Sequence, residues 1–135
     1  MDSKKVILTE KAPKPRPVLS QAIVYNDMIY CSGSLGMDPV TEKMIEGPVE
    51  VRTEQALRNL AAVLEAGNSS LDNVVKVNVF LASMDDFAAM NKVYGQFFSG
   101  PAKPCRTCVA VKELPRGTDV EIECTAFVNK AHSTL

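Results

Sequence analysis

Residues 105–124 read CRTCVAVKELPRGTDVEIEC, and this stretch predicts two β-strands separated by a turn. Apolar and β-branched residues dominate both ends of the stretch, as is typical of strands. Between them, Pro115-Arg116-Gly117-Thr118 has the composition of a turn. The sequence therefore predicts two C-terminal strands, near 105–112 and 120–129.

Arg106 stands inside the first of these strands and needs an anionic partner, because a guanidinium removed from water without an acceptor is costly. Alternation places Arg106 on one face with Cys108 and Ala110, and places Glu121 and Glu123 together on one face of the second strand. If the strands form a hairpin, Arg106 and a glutamate reach a common pocket, where the arginine binds a carboxylate and the glutamate handles water. A plain ion pair with Glu121 or Glu123 is the alternative, and spacing leaves both open.

The rest of the chain supplies two helices and three further strands. Residues 19–33 predict two short strands around a turn, and 74–82 alternates as a strand. Apolar residues at helical spacing precede Gly67, and a second apolar stripe runs from Phe87 to Phe97. This order predicts an α+β fold in which two helices cover one face of a mixed sheet.

The second face of that sheet is predicted to be apolar. Phe80, Phe127, Ala110 and Cys108 are assigned to strand faces opposite the main aliphatic stripes. A face of this kind is too apolar to stay in water. The sequence therefore predicts a homo-oligomer that covers it.

Composition is that of one globular domain, with 46% hydrophobic and 23% charged residues and a net charge of -1. We expect an extended arm over 1–17, a single domain over 18–129 and a polar tail over 130–135. This charge gives no support to nucleic-acid binding, and no apolar run is long enough for a membrane span. We expect a cytoplasmic protein and leave a mitochondrial location open, since residues 1–17 have no clear transit-peptide character.

The four cysteines, Cys31, Cys105, Cys108 and Cys124, lie beside strand-like residues and are expected to be free, buried thiols. Cys105 and Cys108 form a CxxC, but residues three apart in a strand face opposite sides. This argues against a disulfide or shared zinc ligation, and no metal site is predicted. The single histidine, His132, lies in the polar tail and is not expected to act as a catalytic base.

The C-terminal stretch resembles the signature of the Rid (YjgF) family, the reactive-intermediate imine deaminases. Other segments resemble the same family in order along the chain: a strand that ends in Ser-Gly, a central strand and a second helix. These segments are Ile29-Tyr30-Cys31-Ser32-Gly33, Asn73 to Val77, and Asp86-Phe87 through Asn91, Val93, Tyr94 and Phe98.

The resemblance implies a chorismate-mutase-like fold, a homotrimer with clefts between subunits, and no cofactor. It implies hydrolysis of 2-aminoacrylate-type enamines and imines to 2-oxo acids and ammonia. Carried onto this chain, Arg106 would hold the substrate carboxylate and Glu121 would activate water. Four further residues would line or shape the cleft: Ser32, Gly33, Asn91 and Cys108, with Cys108 as a contact rather than a nucleophile.

Two positions depart from the family pattern. Where active members commonly have Gly-Pro-Tyr, this chain has Pro17-Val18-Leu19, so Leu19 replaces an aromatic hydroxyl in the cleft wall. The family's Ser-Gly-Gln becomes Ser32-Gly33-Ser34. One alternative is therefore a non-catalytic trimer that binds small carboxylates in a regulatory or protective role. RNA cleavage, also ascribed to the family, is a further alternative with no supporting residue pattern.

Overall fold

The structure of the chain, a computed structural model, describes residues 3–130. Seven strands and two α-helices follow one another in these residues. Their bounds are β1 Lys5–Ile7, β2 Ala22–Tyr25, β3 Met28–Cys31, β4 Ser34–Leu35, α1 Val49–Ala66, β5 Val74–Leu81, α2 Phe87–Phe97, β6 Cys105–Ala110 and β7 Val120–Phe127. The predicted order of strands and helices is confirmed, with β1 and β4 as additions that the sequence pattern was too short to reveal.

All seven strands belong to one mixed sheet. Six of them lie in the order β1-β2-β3-β7-β5-β6, and β4 pairs with β7 beyond the end of β3. Only β5 and β6 run parallel, while the other neighbours are antiparallel. Both helices pack on one face, so the predicted α+β architecture is confirmed.

Helix α1 covers the centre of the sheet and forms most of the core. Its fully buried residues, Leu57 and Leu64, pack in one cluster with Val79 of β5 and Ile122 of β7. Burying a side chain of this size contributes about 1.5–3 kcal/mol. The helix ends before Gly67, where a Cβ would lie only 2.5 Å from the Cδ1 atom of Ile29. The predicted stop at Gly67 thus reflects tight packing of the chain against β3.

Strand β7 is anchored to α1 just before the residue of chemical interest. Asp119 accepts two hydrogen bonds of 2.7 Å from the Arg52 guanidinium, one on each carboxylate oxygen. This bidentate pair raises the pKa of Arg52 and holds the pKa of Asp119 below its usual range. The start of β7 is therefore fixed two residues before Glu121.

The last two strands do not form the hairpin that a common pocket for Arg106 and a glutamate of the same chain required. Strand β6 pairs only with β5, and β7 pairs with the opposite edge of β5. The connection crosses the end of β5, where the Val111 amide donates to Leu81 and the Ala82 amide donates to Asp119. Nine residues, 111–119, separate the strands. A tight hairpin loop has about two to five residues, whereas this connection is long enough to pass over a strand.

The helix-free face is only partly apolar, because Asn78, Glu121 and Glu123 also lie on it, and two of the residues assigned to it lie elsewhere. Phe80 and Phe127 lie on this face, and Phe127 is 45% exposed. Cys108 and Ala110 are instead in register with buried residues of β5 and face the helices. Alternation along a strand correctly placed Cys108 and Ala110 on one face of β6. It does not show which face of the sheet the helices cover. The homo-oligomer remains a prediction.

Two smaller expectations also change. The alternation predicted over 74–82 is interrupted by a bulge between Val74 and Lys76, so Val75 lies outside the buried stripe of Val77, Val79 and Leu81 and is 42% exposed. All four cysteines are free, but only Cys31 and Cys124 are buried, and Cys105 is exposed on an edge strand.

Within the predicted N-terminal arm, Lys5–Ile7 joins the sheet as β1, and Ile7 and Ala12 are buried. The predicted domain boundaries stay predictions, and part of the 130–135 tail, including His132, lies outside the described residues. Neither helix found in residues 3–130 has the length and apolar character to cross a membrane.

Candidate functional site

A cleft of about 240 Å³ lies between the N-terminal arm, the β3–β4 segment, α1 and the turn that precedes β7. Four of the predicted site residues line it: Leu19, Ser32, Gly33 and Glu121. We call this group the glutamate cleft. These residues come from the arm, the end of β3 and the start of β7, so tertiary packing is what assembles them.

Gly33 lets the Glu121 side chain lie directly on the main chain. A Cβ added to Gly33 would lie 2.7 Å from the carboxyl carbon of Glu121 and closer still to one of its oxygens. Real Cβ atoms do not approach side chains so closely, so any residue other than glycine would displace the carboxylate. The Ser32 hydroxyl, one residue earlier, donates a 2.6 Å hydrogen bond to the Ser20 carbonyl and fixes the arm beside the cleft.

The Glu121 carboxylate has no cation beside it. The salt bridges within residues 3–130 are Arg52–Asp119 and Arg58–Glu54, and neither involves Glu121. Burial raises the pKa of Glu121, and the nearby charge of Glu123 raises this pKa further. A carboxyl group with a raised pKa and no ion-pair partner is suited to proton transfer.

The other three predicted residues form a second group on the opposite side of the sheet. Arg106 and Cys108 lie on edge strand β6, and Asn91 lies on α2. The Arg106 Nη1 atom donates a 2.6 Å hydrogen bond to the Asn91 Oδ1 atom. We call Arg106, Cys108 and Asn91, together with two aromatic residues of α2, the arginine edge.

The aromatic residues of the arginine edge are Phe87 and Tyr94. The guanidinium carbon of Arg106 lies 5.6 Å from the centre of the Phe87 ring and 4.7 Å from that of Tyr94, distances typical of cation–π contacts. Burial raises the pKa of Tyr94 to about 12, so the ring beside the arginine is a neutral phenol. The two rings and Asn91 hold the guanidinium in place without neutralising its charge.

The predicted ion pair of Arg106 with Glu121 or Glu123 is not formed. Arg106 is in register with Val77, whereas Glu121 is in register with Phe80 on the other face of β5. Glu123 instead accepts a 2.9 Å hydrogen bond from Asn78 Nδ2. Within the described residues Arg106 hydrogen-bonds only to Asn91, so most of its five N–H donors are available to a ligand.

Cys108 faces the helices beside Arg106 and is half-buried. Burial raises the pKa of the Cys108 thiol, and the positive charge of Arg106 offsets this only in part. A thiol that stays protonated is a poor nucleophile, so this position fits a contact residue. Across residues 3–130, no group of three or more His, Cys, Asp or Glu side chains is placed to hold a metal ion.

Sequence reasoning assigned Phe87 and Tyr94 to the core and did not connect them with Arg106. Their spacing with Asn91, at i, i+4 and i+7 along α2, was the available signal, because residues so spaced share one helix face. Sequence reasoning also missed Arg116, which lines the glutamate cleft. Arg116 lies in the turn before β7 and has a φ of 58°.

Comparison with known proteins matches nearly the whole chain to one family. The model described as Endoribonuclease L-PSP matches residues 9–128. A protein of Mus musculus named 2-iminobutanoate/2-iminopropanoate deaminase is 42% identical over 123 residues, which are 91% of this chain and 90% of that protein.

Solved structures agree. The crystal structure of RidA from the Antarctic bacterium Psychrobacter superimposes with a TM-score of 0.87 at 40% identity and covers 92% of this chain and 99% of its own. Escherichia coli TdcF with bound serine gives a TM-score of 0.86 at 31% identity and covers 93% of this chain and 99% of its own. Because the family model and these relatives span almost the full chain and share its fold, the protein belongs to the Rid (YjgF) family.

Proposed function

We propose that this protein is a hydrolytic deaminase that converts reactive enamines and imines, such as 2-aminoacrylate-type 2-imino acids, to 2-oxo acids and ammonia. The observation that carries the proposal is the Glu121 carboxylate, which lines a cleft directly over Gly33 and forms no salt bridge within residues 3–130. The name of the mouse relative supports the same reaction.

The chemistry asks little of the protein, because the carbon of a protonated imine is already electrophilic. Glu121 would accept a proton from a water molecule as the water oxygen bonds to this carbon. Returning the proton to nitrogen makes ammonia the leaving group, and Glu121 would then take the hydroxyl proton as the C–N bond of the tetrahedral intermediate breaks and the C=O bond forms. Orientation and proton transfer are sufficient for this sequence of steps.

Arg106 would hold the substrate carboxylate through the N–H donors that Asn91 leaves available. Arg106 and Glu121 face opposite sides of the sheet, so one chain does not bring them into one pocket. We therefore place each active site between two copies of the chain, with the arginine edge of one protomer against the glutamate cleft of its neighbour. The exposed aromatic side chains of Tyr30 and Phe127 on the helix-free face support such an assembly, and the family resemblance implies three copies.

The proposal is tested by generating imines in place with an L-amino-acid oxidase and catalase, and by trapping the remaining imine with semicarbazide. We expect the purified protein to lower the yield of semicarbazone and to speed the appearance of 2-oxo acid. Equal semicarbazone formation with protein and with buffer, over a wide range of protein concentration, would contradict the proposed function.

A non-catalytic carboxylate-binding role is the second candidate, because the TdcF structure of this family contains bound serine. The two candidates separate in one experiment. A binder shows saturable binding of a 2-oxo acid by calorimetry but leaves the trapping reaction unchanged. A deaminase shows both effects.

A further inference from the structure

We infer that the glutamate cleft selects imino acids with extended aliphatic side chains over those with a methyl or a polar side chain. This inference rests on the proposed deaminase function and adds the substrate class. It is carried by the walls of the cleft behind Glu121 and by the way their polar groups are already used.

The inner walls of the cleft are aliphatic. They are formed by Leu19, Leu35, Met37, Leu60, Val63 and Pro115. A volume of about 240 Å³ exceeds the roughly 30 Å³ that one water molecule takes up several times over. A methyl side chain would therefore leave most of this apolar space in contact with water.

The polar residues at the base of the cleft have no donor to offer a substrate. Both Nε2 hydrogens of Gln21 go to backbone carbonyls, at 3.1 Å to Thr9 and 2.9 Å to Pro13. The Gln21 Oε1 atom accepts the Thr9 amide at 2.8 Å. The Gln21 side chain therefore holds the N-terminal arm against the residues that begin β2. Its amide group has no hydrogen left to donate to a substrate in the cleft.

Asn59 and Ser34 are used in the same way. The Asn59 Nδ2 atom donates to the carbonyls of Leu35 and Met37, at 3.2 and 2.8 Å. The Ser34 hydroxyl donates to the Ala56 carbonyl at 2.8 Å. A hydroxyl or amide oxygen on the substrate would lose its water partners here and gain no donor from Gln21, Asn59 or Ser34, which costs free energy, whereas a methylene group gains free energy on burial.

Positively charged residues at the cleft mouth could favour a substrate with an acidic side chain. Lys14, Arg16 and Arg116 line the mouth, but all three are exposed. Their attraction for a second carboxylate is weakened by water and salt. The apolar walls, of which Met37, Leu60 and Val63 are buried, are expected to set the preference in place of this exposed rim.

The test is a series of straight-chain imino acids made from alanine, 2-aminobutyrate, norvaline and norleucine. Burying one more methylene group changes kcat/KM by about fourfold. We expect kcat/KM for hydrolysis to rise by about this factor per methylene up to the norleucine imine. A flat or falling series would overturn the inference, and so would a glutamate-derived imine that outruns the norleucine imine.

Two matched variants locate the effect. Leu19→Trp fills the cleft from a residue that is 46% exposed, so the fold tolerates it, and we expect the slope of the series to flatten. Val18→Trp adds the same ring at the neighbouring position, which is 89% exposed and does not line the cleft, and we expect the slope to stay. Equal slopes in both variants would contradict the assignment of selectivity to this cleft.

Failure of the proposed function gives a different result from failure of the inference. Calorimetry with pyruvate and 2-oxohexanoate measures the affinity of the cleft for a short and a long aliphatic side chain without requiring catalysis. Tighter binding of 2-oxohexanoate than of pyruvate, with no imine hydrolysis, would contradict the proposed deaminase function but support the inferred selectivity of the cleft. Hydrolysis of all imines at one rate, with equal binding of both oxo acids, would contradict only the inferred selectivity.

Discussion

Arg106 and Glu121 lie on opposite faces of one sheet, and strand β5 separates the strands that carry them. The guanidinium is held by Asn91 at 2.6 Å, and the carboxylate rests on Gly33. Each group is fixed in position, and neither is neutralised by the other. If both act on one substrate, they must come from two protomers.

Mixed assemblies test this directly, because a shared site can be rebuilt from two impaired variants. We expect Arg106→Ala and Glu121→Gln each to keep no more than about a tenth of the wild-type rate when assayed alone. After equal amounts are unfolded together and refolded, a random mixture has about a quarter of its interfaces with both wild-type groups. Activity in the trapping assay should return to about that fraction. No recovery, in mixed assemblies verified by native mass spectrometry, would place both groups in one protomer and contradict the arrangement.

Loss of the Arg106 side chain should weaken the hold on the substrate carboxylate. Hydrogen bonds to charged groups contribute about 1.5–3 kcal/mol, so we expect Arg106→Ala to lower kcat/KM by about 10- to 150-fold. Arg106→Lys keeps the charge but loses the planar pair of donors, and it should recover only part of the rate.

Arg58→Ala is the matched control for this variant. Arg58 also lies over an aromatic ring, with 5.7 Å between its guanidinium carbon and the centre of Phe97, but it is on α1 and does not line the cleft. We expect it to retain wild-type kinetics. Unchanged activity of Arg106→Ala would remove the arginine from the mechanism.

The last two strands, β6 and β7, show which features of this fold follow from the sequence and which do not. Alternation correctly grouped Arg106 with Cys108 and Glu121 with Glu123, because side-chain parity is a property of one strand. Parity does not identify the neighbouring strand. The insertion of β5 between β6 and β7 depends on long-range packing, so the hairpin considered from the sequence, and the alternative of an ion pair between its strands, are not found.

The candidate site shows the same limit. The close approach of Glu121 to Gly33 joins segments far apart in sequence, and no local pattern predicts it. The family resemblance supplied both residues because it reflects the folded structure. The aromatic support of Arg106 was within reach of sequence reasoning, since Phe87, Asn91 and Tyr94 recur at helical spacing.

The pH dependence of activity should follow the Glu121 carboxyl group. Its pKa is raised above 4.5, first by burial and then by the charge of Glu123, and only the ionised form accepts a proton from water. The acid limb of kcat/KM should therefore lie above pH 4.5. Glu123→Gln removes the charge of Glu123, which is the smaller of the two causes that raise the pKa of Glu121. We therefore expect the acid limb of kcat/KM to move to lower pH but to stay above pH 4.5.

The pH profile of Glu54→Gln is the control, because Glu54 pairs with Arg58 on the surface of α1. Its acid limb should match that of wild type. A limb that stays in place in Glu123→Gln, or moves to higher pH, would mean that another group controls the rate.

Stability should rise when Glu121 is made neutral. Because the pKa of Glu121 is raised on folding, the folded protein binds this proton more tightly than the unfolded chain does. Ionisation therefore lowers the free energy of unfolding as the pH rises from about 4.5 through the folded pKa. We expect Glu121→Gln to have a higher Tm than wild type at pH 7 and a difference that shrinks below pH 4.5. Circular dichroism at matched protein concentration measures both, and a lower Tm at pH 7 would show that the carboxylate stabilises the fold.

Leu19 lines the cleft at the position where the family resemblance implies a tyrosine, and Leu19→Tyr should place a hydroxyl on this wall. A neutral hydrogen bond contributes about 0.5–1.5 kcal/mol, so we expect kcat/KM for the alanine-derived imine to rise by about two- to tenfold. Leu19→Phe adds the same ring without the hydroxyl and should leave this substrate near the wild-type rate. An equal rise in both variants would assign the gain to the ring filling the cleft, and a fall in Leu19→Tyr would show that the hydroxyl has no productive position beside Glu121.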